Sequence, residues 1–541
     1  MSKGHQTGDA FPKQTIIDAY ASLVRNVSKF PTRSDLGAMG VSRDQVRHHF
    51  GTYANLREAV KKAYPELFRG IVSENDIMSA ENIANLKAKV KKHKRFVITT
   101  AVNGQEVHTG FLDTIKSYCK KNNAMLLIMP SHDPAHNLDN SIEWHFDEQI
   151  ASASLVFSEL YLNSNIHLSS IRITAKQINP HTGLARFVQG EGSAIFGSPK
   201  QNLDYIPVSN VKYPHALMST GAITIPNYST SRGNSLRSAF IAQYDHVIGA
   251  IIVEIQDDKI YHFRQVQAAP DGSFADLGKL YKPSGKVEKI QTKLIMGDYH
   301  AGQHDPSAVK SWSELADYVQ ADEVFFHDLF NGLSVDHHSQ HKIITLAKRS
   351  KEGRLSLESE LEITGRELDY WANKKSVKRL TIIKSNHDEF LDRWAQEARF
   401  SRDPFNFEAG CKIAASMAEG GDALETGLKL YAKIKNWNKL LFLKRDQDYK
   451  IADIVCGAHG DKGPNGSRGT KANLENSYGK CVIGHSHTPG ILRGVWQVGT
   501  TSLFDLDYNV GPSSWMHTSC LVYPNGQRQL INSIQGSWRV K

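Results

Sequence analysis

Five short stretches in the second half of the chain each set Asp, Asn or His directly after an apolar run. "TKLIMGDYHAG" (292–302) ends in Asp298 and His300, and "DEVFFHDLFNG" (322–332) ends in Asp328. "RLTIIKSNHDEF" (379–390) carries Asn386 and His387, "ADIVCGAHGDKG" (452–463) carries His459, and "KCVIGHSHTPG" (480–490) carries His485 and His487. Oxygen donors mixed with imidazoles are what a site holding two divalent ions needs. Each stretch alone says little: an Asn-His pair is ordinarily a turn, and with 24 histidines a single H-x-H is ordinary. Five in succession, each closing an apolar run, predict a metal centre.

The elements that must position these residues follow from the same runs. Continuously apolar segments of this length read as strands buried on both faces, as in a parallel sheet. In open α/β sheets the loops at the carboxyl ends of the strands converge on one crevice. Residues two apart share a face of a strand, so D-x-H and H-x-H can each aim two side chains at one centre. Two divalent ions about 3.5–4 Å apart bind a phosphoryl group from both sides and lower the pKa of water toward about 7. No side-chain nucleophile is then required, and an unligated histidine across the phosphorus suits a general acid.

The five stretches resemble the calcineurin-like metallophosphoesterase superfamily. Its order is D-x-H, G-D, G-N-H-[DE], G-x-H and G-H-x-H, and this chain has "GDYH", "HD", "SNHD", "GAHG" and "GHSH" over roughly residues 290–535. The resemblance implies a first metal held by Asp298, His300 and His487 and a second held by Asn386, His459 and His485. Asp328 would bridge them, and His387 would protonate the leaving oxygen or stabilise the charged transition state. It also implies a four-layer α/β/β/α sandwich and two divalent ions, Mn²⁺ first and Mg²⁺ as the alternative. His327 and Ser385 stand where the family has glycine before Asp328 and Asn386. Asn331 stands where many members have an acid that orients the histidine, which leaves the orientation of His387 open. "HDLFNG" is closer to the "GDLF" form of SbcCD-type nucleases than to the "GDxVDRG" form of protein phosphatases. The overall layout is similar to that of the pre-early host-DNA-degrading and DNA-transfer proteins of T5-like bacteriophages.

Charge is unevenly placed. Residues 1–95 hold 17 Lys+Arg against 9 Asp+Glu, and the rest hold 48 against 47, so nearly all of the +9 lies in the first segment. Such a segment suits a polyanion. Apolar residues at helical spacing predict a helix over 15–27. In "TRSDLGAMGVSRDQVRHHFGTY" Leu36 and Met39 are expected to face a core, with Gly40 at a turn and Ser42 capping a helix that holds Val46 and Phe50. The pattern resembles a helix-turn-helix, which would put Arg43, Asp44, Arg47 and His48 on the face that meets DNA. "RFVITTAV" (95–102), a helix near 107–122 and "AMLLIMPS" (124–131) read as β-α-β, and 150–285 as short strands separated by Gly and Pro turns. "GEGSAIFG" (190–197) lacks the lysine and the strand-loop-helix setting of a phosphate cradle. "SVDHHSQH" (334–341) reads as a loop and helix start, and 346–375 as a solvated helical insert.

The expected organisation is a basic helical domain (1–95), a middle α/β region of open role (96–285) and an α/β catalytic domain (286–541). No run of 18 apolar residues suggests a membrane span. The opening lacks an export pattern, and five cysteines without regular spacing suit a reducing cytoplasm. Long inserts after Asp328 and His387, together with the basic segment, favour DNA as substrate and partner. The expected activity is a metal-dependent DNase acting through an activated hydroxide. The alternative is a protein or small-nucleotide phosphoesterase with the first domain as a docking module; self-association and other phage or host partners stay open.

Overall fold

The computed structural model describes residues 11–540 except 28–30, 32, 69, 133–142, 189–191, 210–212, 229–235, 507–508 and 510. The start of "GEGSAIFG" and the first ten residues, on which the expectation of no export leader partly rests, lie outside this set. The chain is a mixed α/β protein, and no described helix is long and apolar enough to cross a membrane.

A six-stranded sheet carries the first three metal-type stretches. Strands Leu440–Phe442, Arg379–Ile382, Glu323–Phe326 and Lys293–Ile295 run parallel, followed by antiparallel Thr518–Val522 and Arg528–Asn532. Their alternating side chains divide between two cores, as a period of two requires. Leu294, Val324, Phe326, Leu380 and Ile382 pack with Trp312, Leu361 and Trp371 from helices Pro306–Val319 and Leu357–Ala372. Ile295, Phe325 and Cys520 face the other way, into a core shared with Val482, Ile491 and Trp496.

Those last residues belong to a ten-stranded sheet that the sequence did not suggest. It joins Lys450–Ile451, Ile454–Val455, Cys481–Ile483, Val495–Gln497 and Gly490–Leu492 to Asn202–Ile206 and four further strands from residues 160–219. The seam is the pairing of Ile491 with Leu203 and Leu492 with Asn202. Its outer face is covered by helix Lys471–Tyr478, where Leu474 packs on Val455, Cys481 and Val495. The β-α-β reading holds: strands Arg95–Val102 and Met125–Ser131 are parallel around helix Thr109–Asn122, within a five-stranded sheet.

The first segment is helical, at Lys13–Val27, Arg33–Ala38, Arg43–Phe50 and Tyr53–Ala63. Ser42 caps the third helix in a reciprocal box with Gln45, which satisfies two orphan backbone donors. Leu36, Val46 and Phe50 join Ile16, Tyr20, Leu56 and Val60 in one core. Met39 corrects an expectation. It is 43% exposed because it lies in the turn, past the end of the second helix, rather than on that helix's inner face. The stretch 346–375 is also not simply solvated: Leu357, Leu361, Leu368 and Trp371 are fully buried.

Candidate metal centre

All five stretches meet where the two sheets present their loops. Asp298, His300 and His459 are fully buried, Asp328 and His487 nearly so, while Asn386 and His485 are partly exposed. The loops reach this point through left-handed backbone at non-glycine residues: φ is 51° at His300, 44° at Asp328, 75° at His485 and 58° at His487. Each such residue costs about 1–2 kcal/mol, so the surroundings must hold it. They do so through main-chain bonds. His300 N donates to the Asp328 carbonyl at 2.8 Å, His485 N donates to Asp298 Oδ1 at 3.1 Å, and the His487 carbonyl accepts from Met516 N at 3.2 Å.

The side chains form two touching groups. In one, His300 Nε2 lies 3.1 Å from His487 Nε2 and 3.7 Å from Asp328 Oδ2, and His487 Nε2 lies 3.2 Å from Asp298 Oδ2. In the other, His459 Nε2 lies 2.9 Å from Asn386 Oδ1 and 3.4 Å from Asp328 Oδ2, and His485 Nδ1 is 3.2 Å from the same Asn386 oxygen. The structure thus brings all seven predicted ligand residues together, with Asp328 touching both groups. His300, Asp328 and His487 each offer one donor atom within 4.8 Å of the others, and so do Asp298, His327 and His459. Imidazole nitrogens facing one another, and an Asp328 Oδ1 without a hydrogen bond among the described residues, are what a cation would satisfy. These groups could hold metal.

Electrostatics agree with that donor set. Burial pushes the Asp298 carboxyl up, but the His487 contact outweighs it and holds the carboxyl at about 2. Asp328 sits well below the carboxylate range because the surrounding histidines, His459 and His387 foremost, overcome its burial. Burial, then His387, lowers His300 to about 3, and burial, then His459, lowers His327 to about 4. His459 goes the other way, to about 9, because the Asp328 carboxylate outweighs its burial.

His387 stands beside the two groups, its ring 4.5 Å from that of His300. Its Nδ1 is 2.7 Å from the main-chain carbonyl oxygen of Asn331. The Asn331 main-chain carbonyl thus fixes the direction of the His387 ring. Beyond His387 opens a cleft of about 380 Å³ lined by Asn386, Phe390, His485, His338, Lys342 and Trp515 among others.

Sequence reasoning missed two residues here. Trp515 packs its ring 4.3 Å from that of His487, and nothing local marks it. His327 is fully buried against His459, although in the sequence it counted only as a missing glycine. Its signal was a histidine closing the apolar run "VFF". Among the histidines of 334–341, His338 lines the cleft and His337 packs on Phe390, in the loop before helix Ile343–Lys351. Arg43, Arg47 and His48 lie far along the chain, exposed on the third N-terminal helix.

The chain is 31% identical over 480 residues to "Protein A1" of Escherichia phage T5, covering 83% of this chain and 84% of that protein. No family model matches the chain. No solved structure matches it either.

Proposed function

The chain belongs to the family of Protein A1 of Escherichia phage T5, and from that premise we propose that it is a phage nuclease that hydrolyses DNA phosphodiester bonds with two divalent ions. The two donor groups that Asp328 touches, through His300 on one side and His459 on the other, carry this proposal. Asp298, His300 and His487 would hold one ion, Asn386, His459 and His485 the other, with Asp328 shared. Mn²⁺ fits this mixed oxygen and imidazole set, with Mg²⁺ the alternative. When bound, the ions supply Lewis acidity toward the phosphoryl oxygens and an activated water.

The chain's own residues do the rest. Phe390 and Trp515 give the cleft apolar walls for a nucleotide, and Lys342 offers a cation to phosphate. His387, held through Nδ1 by the Asn331 carbonyl, keeps Nε2 for the proton that the leaving oxygen takes. The helix-sheet-sheet-helix packing around the site is what a metallophosphoesterase sandwich of the SbcCD type would present. In this proposal residues 286–541 form the catalytic domain and 96–285 supply strands to its second sheet. Residues 1–95 bind DNA as a helix-turn-helix through Arg43, Arg47 and His48. Five unpaired cysteines suit action in the host cytoplasm, on host DNA.

The substrate class is tested by incubating the protein with plasmid DNA and with a chromogenic phosphomonoester, each with Mn²⁺, Mg²⁺ or chelator. Metal-dependent loss of DNA is expected. Turnover of the phosphomonoester with intact DNA would favour a phosphatase instead.

A further inference from the structure

We propose that His327 is a positioning residue of the metal centre, accepting the Nδ1 proton of His459 so that His459 Nε2 is free to bind an ion. This rests on the two-ion reading above. The His459 ring has one nitrogen on each side. Nε2 faces Asn386 Oδ1 at 2.9 Å and Asp328 Oδ2 at 3.4 Å, and Nδ1 faces His327 Nδ1 at 3.2 Å. Between two facing imidazole nitrogens one must donate and the other accept. If His327 donated, neutral His459 would carry its proton on Nε2, pointing at the ion's place. If His327 accepts, His459 carries the proton on Nδ1 and presents a lone pair at Nε2. Only the second arrangement suits metal, and it is the role that a carboxylate or carbonyl commonly plays behind a ligating histidine.

The surroundings are built around this ring. His327 is fully buried, and its Nε2 has no hydrogen-bond partner among the described residues. Gly484 makes room for it: a Cβ there would stand 2.9 Å from His327 Cγ and 2.3 Å from Asp298 Oδ1. The His327 carbonyl accepts from Tyr299 N at 2.9 Å, which ties the loop holding it to the Asp298–His300 turn. His327 also approaches Asp298 closely enough to be a direct ligand. That arrangement would draw His459 through Nδ1 and leave its Nε2, which already faces Asn386 and Asp328, without an ion.

The test is Mn²⁺ equilibrium dialysis, with melting curves as a folding control, on the wild type, His327→Leu and His327→Gln. The wild type is expected to bind two ions. Leu keeps the bulk without an acceptor, and one ion should weaken 10–100-fold. Gln restores a carbonyl acceptor and should recover most of that loss. Unchanged binding of both ions by the Leu variant would overturn the proposal. So would a folded Gln variant no better than Leu. A wild type binding fewer than two ions would instead defeat the two-ion reading itself.

Discussion

Asn331 holds His387 by its main chain and His300 by its side chain. The carbonyl oxygen meets His387 Nδ1 at 2.7 Å, and the amide Oδ1 lies 3.2 Å from His300 Nδ1. One residue thus serves the proposed general acid and a proposed ligand through different atoms. Asn331→Ala should leave His387 oriented but loosen His300, weakening metal binding about 10–100-fold. His387→Gln should do the reverse, lowering kcat about 10²–10⁴-fold with metal content unchanged. Metal titration and DNA-cleavage kinetics on the same preparations separate the two effects. Equal loss of metal in both variants would contradict the division.

Trp515 lies against His487 and on the wall of the cleft, so it can stack on a base without touching an ion. Base–aromatic stacking is worth about 1–3 kcal/mol by alanine substitution. Trp515→Ala is expected to raise KM for DNA about 5–150-fold while Mn²⁺ stoichiometry holds. Loss of the ions instead would make Trp515 a support for His487.

The metal-type stretches were legible because ligand chemistry and buried-strand composition are both local properties. That Asp298, His300, Asp328, Asn386, His459, His485 and His487 come together needed only their residue types and the apolar runs before them; their division between two ions came from the resemblance. The joining of Leu203 to Ile491 was not legible, since pairing across 288 residues leaves no local mark. His327 was hidden for another reason: a comparison that expects glycine at that position registers an absence rather than a new imidazole. The role of Asn331 was invisible in principle, because a main-chain carbonyl carries no sequence signature. Helix Leu357–Ala372 misled through its charge, which flanks a buried Leu361–Leu368–Trp371 stripe.

Acid should destabilise the metal-free protein through histidines far from the centre. Burial lowers His246 to about 4, where its Nε2 meets the Thr224 carbonyl at 2.7 Å and its Nδ1 meets Tyr228 Oη at 2.8 Å. The unfolded chain takes up the proton near pH 6.5 and the folded chain only near 4. Stability is therefore lost as pH falls from 6.5, and the loss levels off below 4. Between pH 7 and 5 this one residue contributes about 2 kcal/mol of loss. Urea denaturation of His246→Gln should show a shallower pH dependence by that amount, and an identical slope would refute it.

The N-terminal helices should bind DNA electrostatically. Arg43 and Arg47 are exposed on one helix, where neutralising two phosphates would contribute about 1.8 to the slope of log K against log salt. Arg43→Ala/Arg47→Ala should flatten the slope by that much without altering Mn²⁺ content. An unchanged slope would leave this domain a docking or assembly role.

The most direct measurement is plasmid cleavage by wild type and Asp328→Asn in Mn²⁺, with and without chelator, alongside melting temperatures. Asp328 touches both donor groups, so the variant should remain folded yet lose metal-dependent cleavage and any stabilisation by Mn²⁺. Cleavage that persists in Asp328→Asn, or in wild type with chelator, would contradict a two-ion nuclease centred on this residue.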